Sequence, residues 1–96
     1  MKVALLFYHA VYDDEIRGML KELGCARYVE VPRAFAQDDA DRRFGSHVHP
    51  GTDSVVLAFV EAECAGTLKA AVEQFKRGER AKAHTHLALL PVEDFV

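Results

Sequence analysis

Two groups of residues have the types and spacing that chemistry requires, and the first is a set of histidines. Four of the five histidines form His-x-His pairs, His47 with His49 and His84 with His86. Alternate residues of a strand share one face, so His84 and His86 would point the same way and could chelate one zinc or copper ion. The competing interpretation places His84 and His86 on an open sheet face at a subunit contact, with His47 and His49 solvated in a loop.

The second group is basic. The segment from Lys76 to Lys82 contains four cations, Lys76, Arg77, Arg80 and Lys82, at the end of a predicted helix. Ammonium and guanidinium groups make charge-assisted hydrogen bonds with phosphate, and Gly78 would allow the backbone to approach an anion closely. The competing interpretation is a solvated helix end, where cations interact with the helix dipole and need no ligand.

A long polar stretch covers Gln37 to Asp53 and is predicted to be a loop. Near its centre, Arg42 and Arg43 precede Phe44, and an aromatic side chain beside arginines is typical of an interface anchor. The stretch is longer than ordinary connections, which favours a functional or disordered segment. We therefore expect contact with an effector or a partner protein here, unless the stretch is only a disordered tip.

Nothing in the sequence indicates catalysis. Asp38, Asp39 and Asp41 are clustered, but a mobile loop lacks the buried surroundings that tune a carboxylate for acid–base work. Cys25 and Cys64 are far apart in the sequence and match no CxxC pattern. We interpret both cysteines as small buried or half-buried side chains, and we expect a protein that is not an enzyme.

Four segments have the pattern of strands. Lys2–Tyr8 and Ser54–Val60 are almost continuously apolar, which is typical of central strands covered on both faces. Arg27–Phe35 is mixed, and Pro32 within it indicates an edge strand, because proline cannot donate to a ladder on both sides. The last predicted strand is Lys82–Leu90, and a short tail follows it.

Two segments have helical spacing. Residues 13–23 repeat apolar side chains at intervals of three and four, with Asp13 as a plausible N-cap and Gly24 as the stop. The second helix is predicted over residues 62–77 and ends at Gly78. The resulting order is βαββαβ, a ferredoxin-like α+β sandwich whose antiparallel sheet carries both helices on one face. The other face has apolar central strands and no helix, so we expect it to pack on another copy of the chain.

Length and charge narrow the class of protein. Ninety-six residues form one domain, residues 1–96, with a thin core that a subunit interface would help to stabilise. A net charge of −3 argues against a general binder of nucleic acid or of anionic membranes. The apolar start of the chain is too short for a signal peptide or a membrane span, which predicts a cytoplasmic protein without membrane insertion.

In this order of elements the chain resembles the PII-like signalling superfamily along nearly its whole length. The matching segments are Met1-Lys2-Val3, Asp13-Asp14-Glu15, Glu22-Leu23-Gly24, Ser54-Val55-Val56 and the closing Leu89-Leu90-Pro91-Val92-Glu93-Asp94-Phe95-Val96. The closing segment, similar to the Pro-Val-Glu-Glu tail of the family, is the most specific of these. The chain departs from the family in lacking a tyrosine within 37–53 and in having a shortened basic loop at Lys76–Lys82.

The resemblance implies a cytoplasmic homotrimer that binds an adenine nucleotide or another small anionic effector in clefts between subunits. It also implies that residues 37–53 are the T-loop, which the effector reshapes against a target protein such as a transporter or an enzyme. The effector-binding residues would then be Lys76, Arg77, Gly78, Arg80 and Lys82, with Arg42 and Arg43 from the loop. The CutA-like copper-tolerance proteins share the trimeric architecture and are a second analogy, in which the histidine pairs would bind zinc or copper.

Overall fold

The computed structural model describes residues 1–25, 27–34, 53–78, 82 and 84–96 of the chain. The strands are β1 (Lys2–His9), β2 (Tyr28–Ala34), β3 (Asp53–Val60) and β4 (His86–Pro91). A short 3₁₀ turn (Ala10–Tyr12) leads into helix α1 (Asp13–Glu22), and helix α2 is Ala62–Phe75. The strands form one antiparallel sheet in the order β2-β3-β1-β4, which confirms the predicted ferredoxin-like α+β fold.

The two nearly continuous apolar strands occupy the centre of the sheet, as predicted. Strand β1 pairs with β3 from Lys2 opposite Val60 to His9 opposite Asp53. Strand β2 lies at one edge of the sheet. Proline is tolerated in an edge strand, because its missing N–H costs no hydrogen bond on the side of the strand that faces away from the sheet. The register of β2 against β3 shifts between Val31 and Ala34, at the end of the strand.

The core lies between one face of the sheet and both helices. Alternate residues of β1 and β3 are buried together with side chains from α1 and α2, and the principal ones are Ala4, Leu6, Tyr8, Ile16, Leu20, Val56, Ala58, Leu68 and Val72. The opposite phase of the central strands is only half-buried and carries Val3, Leu5, Phe7, Val55, Leu57 and Phe59. We call this second surface the open face. It is apolar, and neither α1 nor α2 covers it.

Helix α1 begins differently from the prediction and ends as predicted. Asp13, predicted to be the N-cap, is instead the first helical residue, and Tyr12 precedes it without a side-chain capping bond. Asp13 still benefits from the positive helix start. At the other end, Gly24 has φ +75°, and the N–H groups of Gly24 and Cys25 donate to the carbonyls of Lys21 and Leu20 over 3.1 and 2.8 Å. This Schellman turn ends the helix as the sequence predicted.

The last strand and the end of α2 differ from the prediction. Strand β4 begins at His86 instead of Lys82, because the Thr85 N–H donates to the Lys82 carbonyl over 3.0 Å in a turn. Helix α2 ends at Phe75, two residues early, where tighter bonds join Arg77 to Gln74 and Gly78 to Phe75. Neither α1 nor α2 combines the length and apolar composition of a membrane-spanning helix.

Candidate functional site

Buried polar side chains gather where β1 ends and β3 begins. Tyr8 pairs with Ser54 across the two central strands, and Thr85 directly precedes His86, the partner of Phe7. Tyr8, Ser54 and Thr85 are each at most 1% exposed. Asp13, at the start of α1, lies close enough for its charge to act on Tyr8. We call this group, Tyr8, Asp13, Ser54 and Thr85, the polar end of the sheet.

The polar end contains more hydrogen-bonding capacity than the described residues use. Tyr8 Oη, Asp13 Oδ1, Ser54 Oγ and Thr85 Oγ1 are buried and make no hydrogen bond of good geometry within the described part of the chain. A buried polar group without a partner costs about 1–3 kcal/mol. Folded proteins leave few such groups without a partner, and buried hydroxyl and carboxylate groups that lie together usually pair with one another or with ordered water.

The Tyr8 hydroxyl is held in its protonated form. Burial is the largest cause that raises its pKa above the ordinary value of 10.0, followed by a loose hydrogen-bonding contact with the Asp13 side chain and then by the negative charges of Asp13 and Glu30. The nearby Ser54 acts weakly in the opposite direction. Tyr8 is therefore a buried hydrogen-bond donor at neutral pH.

Lys82, a predicted effector ligand, is directed into the protein in this structure. Its Nζ lies 3.0 Å from Glu15 Oε2, and its side chain is 15% exposed. The same ammonium lies 4.7 Å from the centre of the Phe75 ring and 5.4 Å from that of Tyr12. A cation above aromatic faces is stabilised by the ring electrons. Lys82 thus connects the segment after α2 to the start of α1.

Gly78 makes this arrangement possible by its small size. A Cβ atom at position 78 would lie 3.0 Å from Cδ of Lys82 and 3.3 Å from the carbonyl oxygen of Phe75. The predicted function of Gly78 was close backbone approach to an anion. In this structure the neighbour that approaches Gly78 is the Lys82 side chain.

Lys76, another predicted ligand, lines an open groove of about 340 Å³ between α2 and β4. The apolar lining of the groove is Val72, Leu87 and Leu89, and its charged lining is Lys69, Glu73 and Lys76. Because β4 is an edge strand, the groove opens at the edge of the sheet. Arg77 points elsewhere on the surface and donates to Gln74 Oε1 over 3.4 Å.

The geometry predicted for the second histidine pair is wrong. The prediction required both side chains on one face of a strand, but β4 begins at His86 and His84 lies in the preceding turn. Within residues 1–25, 27–34, 53–78, 82 and 84–96, no three histidine, cysteine or carboxylate side chains are grouped closely enough to hold a metal ion. The other predicted site residues, Arg42, Arg43, His47, His49 and Arg80, lie outside the described residues, as does Phe44.

Sequence reasoning missed the polar end, although one signal was present. Ser54 opens an apolar strand and shares the buried phase with Val56, Ala58 and Val60. A polar residue in the buried phase of a strand indicates a hydrogen-bonding site in the core. Tyr8 gave no such signal, because tyrosine is common in half-buried strands.

Together the element order, the sheet order and the one-sided helices define a ferredoxin-like α+β domain. No family model and no curated protein sequence matches the chain. Solved structures match it closely. CPII, a nitrogen regulatory PII-like protein from Thiomonas intermedia K12 bound to ADP, AMP and bicarbonate, superposes with a TM-score of 0.72 at 12% identity, over 93% of this chain and 88% of that chain.

Two further structures agree. The apo form of CPII has a TM-score of 0.67 at 13% identity, covering 95% of this chain and 89% of that one. A protein from Thermus thermophilus described as a PII-like signaling protein has a TM-score of 0.61 at 16% identity, covering 95% and 86%. The chain therefore has the fold of the PII-like proteins, which confirms the predicted resemblance at the level of the fold.

Proposed function

We propose that this chain is a PII-like regulatory protein that binds a small anionic effector, with adenine nucleotides as the first candidates. The effector binds in clefts between the subunits of a homotrimer and signals through residues 37–53 to a target protein such as a transporter or an enzyme. The observation that carries the proposal is the fold shared with CPII, whose structure contains ADP and AMP.

The groove between α2 and β4 supports an anionic effector with a flat apolar part. Val72, Leu87 and Leu89 offer an apolar surface for a purine ring, and the ammonium groups of Lys69 and Lys76 can neutralise phosphates. The carboxylate of Glu73 in the same lining would repel a phosphate placed beside it. The phosphates are therefore placed towards Lys76 and the following segment. Each chain then contributes half of a cleft.

The polar end supports the link between the effector and the loop. Strand β2 ends at Ala34, which pairs with Asp53, the first residue of β3. Both ends of segment 35–52 are therefore anchored beside Ser54 and Tyr8. An effector that binds beside the polar end would change the surroundings of both anchor points, which is how its binding would act on the loop.

The open face supports the homotrimer. Val29, Val31 and Leu90 are 55, 43 and 42% exposed on the edge strands, and half-buried Leu5 and Leu57 lie between them. An apolar surface across a whole sheet is unusual on a monomer and is stabilised when copies pack against each other. The trimer would also bring the edge of β4 next to another chain.

The proposal is tested by titration calorimetry of ATP, ADP and AMP against wild type, Lys76→Ala and Arg80→Ala. Each charge-assisted bond to phosphate contributes about 1.5–3 kcal/mol, so each substitution should weaken binding by about one to two orders of magnitude. Lys21→Ala is the matched control, because Lys21 is an exposed lysine in the last turn of α1, beside Gly24. Zinc is titrated in parallel against wild type and His84→Ala/His86→Ala.

The outcomes separate the parts of the proposal. Nucleotide binding that is weakened by Lys76→Ala and not by Lys21→Ala supports the basic site. Tight nucleotide binding that neither basic substitution affects refutes the site while leaving the class of effector intact. Binding of zinc alone, lost on replacing His84 and His86, would refute the nucleotide proposal in favour of the metal interpretation.

A further inference from the structure

Two free cysteine thiols are in direct contact at the end of the sheet opposite to the polar end. Cys25 Sγ lies 2.9 Å from Cys64 Sγ, although 39 positions separate the residues in the sequence. A disulfide requires sulfur atoms about 2.05 Å apart, so the two atoms need to approach by only about 1 Å to bond. Neither thiol has a function in the proposed effector site.

Regular structure brings both cysteines to this point. The Schellman turn at Gly24 directs the chain back towards the core, so that Cys25 follows α1 and is only 3% exposed. Cys64 is the third residue of α2, and its Sγ also lies 3.8 Å from the carbonyl oxygen of Leu23. The thiols are therefore held together by the end of one helix and the start of the other.

The two thiols differ in accessibility. Cys64 is half-buried, and both cysteines line an open cleft of about 590 Å³ together with Met1, Arg27, Phe59 and Glu61. A small oxidant can reach Cys64 through this cleft. Burial and the contact with Cys64 raise the pKa of the Cys25 thiol to about 12. Cys25 is therefore protonated at neutral pH, and the more accessible Cys64 is the thiol that meets an oxidant first.

We propose that Cys25 and Cys64 form a redox-active pair that hydrogen peroxide converts into an intramolecular disulfide. The Cys64 sulfur attacks one peroxide oxygen, the O–O bond breaks, and the products are a Cys64 sulfenic acid and water. The Cys25 sulfur then attacks the Cys64 sulfur, the S–O bond breaks, and a second water leaves with the Cys25 proton. Overall, two thiols lose two electrons and two protons, and one peroxide is reduced to two waters.

The disulfide would change the chain between the two cysteines. It would close a loop from residue 25 to residue 64 that contains β2, β3 and the segment 35–52, and it would tie the end of α1 to the start of α2. Cross-linking a loop of this size restricts the unfolded chain and raises the thermal midpoint, here by on the order of 10 °C. The pair lies far from the polar end, so the inference stands whether or not an adenine nucleotide is the effector.

The test treats the full-length protein with stoichiometric hydrogen peroxide and reads out intact mass, thiol alkylation and thermal midpoint. The mass of the wild-type protein should fall by two hydrogens, neither cysteine should react with the alkylating reagent, and the thermal midpoint should rise. Dithiothreitol should restore the starting mass. Cys25→Ser should stop at a Cys64 sulfenic acid that dimedone traps. In the Cys64→Ser variant Cys25 should stay reduced, and peroxide should leave the thermal midpoint of the variant unchanged. This variant controls for oxidation elsewhere in the protein.

Two results would overturn the proposal. In one, the wild-type protein gains oxygen on Cys64, and Cys25 still reacts with the alkylating reagent after the protein is unfolded. The other is a disulfide that joins two chains on a non-reducing gel. Because the wild-type mass alone distinguishes these results from the intramolecular bond, the test does not depend on either serine variant folding.

Discussion

Nζ of Lys82 lies 3.0 Å from Oε2 of Glu15. A cation that the sequence assigns to effector binding therefore already forms an ion pair with an acidic residue of α1. The basic segment after α2 is therefore not a set of equivalent surface charges. Lys76 lines an open groove, whereas Lys82 is 15% exposed and packs over Phe75. An effector phosphate must compete with the Glu15 carboxylate for Lys82.

This competition predicts the effect of Glu15→Gln on effector binding. Removing the carboxylate charge should release the Lys82 ammonium and strengthen ADP binding by about two- to fivefold, equivalent to about 0.4–1 kcal/mol. Titration calorimetry measures the change. Glu22→Gln removes the same charge from the other end of α1 and is the control for long-range electrostatics. Equal effects of the two substitutions would show that Lys82 does not bind the nucleotide.

Gly78 and Gly66 should respond in opposite directions to replacement by alanine. At position 78 the added methyl group meets Lys82 at 3.0 Å and the Phe75 carbonyl at 3.3 Å, so Lys82 must move and the free energy of unfolding should fall by about 1 kcal/mol. At position 66, inside α2, the added methyl group meets no described atom within 4 Å outside the backbone of the helix and the two neighbouring residues, and Gly66→Ala should raise the free energy of unfolding by about 0.5–1 kcal/mol. Urea denaturation compares the two.

A destabilised Gly66→Ala would contradict this account of α2. Equal stability of wild type and Gly78→Ala would show that Lys82 moves without cost and that its contacts with Glu15 and Phe75 contribute little.

The sequence predicted the fold well because the signals that define it are local. Helical spacing, Gly24, Pro32 and two nearly continuous apolar runs each specify one element, and the βαββαβ order then limits the topology. The sequence located the polar end poorly, because Tyr8, Asp13 and Thr85 become neighbours only through the pairing of distant strands. The Cys25–Cys64 contact escaped prediction for the same reason. The late start of β4 depends on a single Thr85–Lys82 hydrogen bond, which no periodic pattern reveals.

Tyr8→Phe should separate stability from binding. The substitution removes a buried hydroxyl that forms no hydrogen bond of good geometry in the described part of the chain, so the free energy of unfolding at pH 7 should stay within about 1 kcal/mol of wild type or rise. If the polar end contacts the effector, nucleotide affinity should fall by about tenfold or more at the same time. Tyr28→Phe, at a half-buried position of β2, is the control for loss of a phenol.

The raised pKa of Tyr8 also predicts an alkaline loss of stability. Below pH 10.0 the phenol is protonated in both the native and the unfolded protein and has no effect on the pH dependence. Above that pH the unfolded chain releases the proton while the native protein retains it, so the free energy of unfolding falls by up to about 1.4 kcal/mol per pH unit. Urea midpoints measured from about pH 9 to about pH 11.5 should therefore fall less steeply for Tyr8→Phe than for wild type. Parallel curves would mean that Tyr8 ionises normally.

The assembly prediction rests on Leu57, which lies on the open face between Leu5 of β1 and Val29 of β2. If three copies pack through this face, Leu57→Asp places a carboxylate in each interface, and an unpaired buried charge costs several kcal/mol. Light scattering coupled to gel filtration should show a trimer for wild type and a monomer with retained far-ultraviolet circular dichroism for Leu57→Asp. Val11→Asp is the matched control, because Val11 is 69% exposed in the 3₁₀ turn, away from the open face, and its replacement should leave the trimer intact. A wild-type monomer at micromolar concentration, or a trimer that survives Leu57→Asp, would remove the open face as the subunit contact and with it the shared cleft.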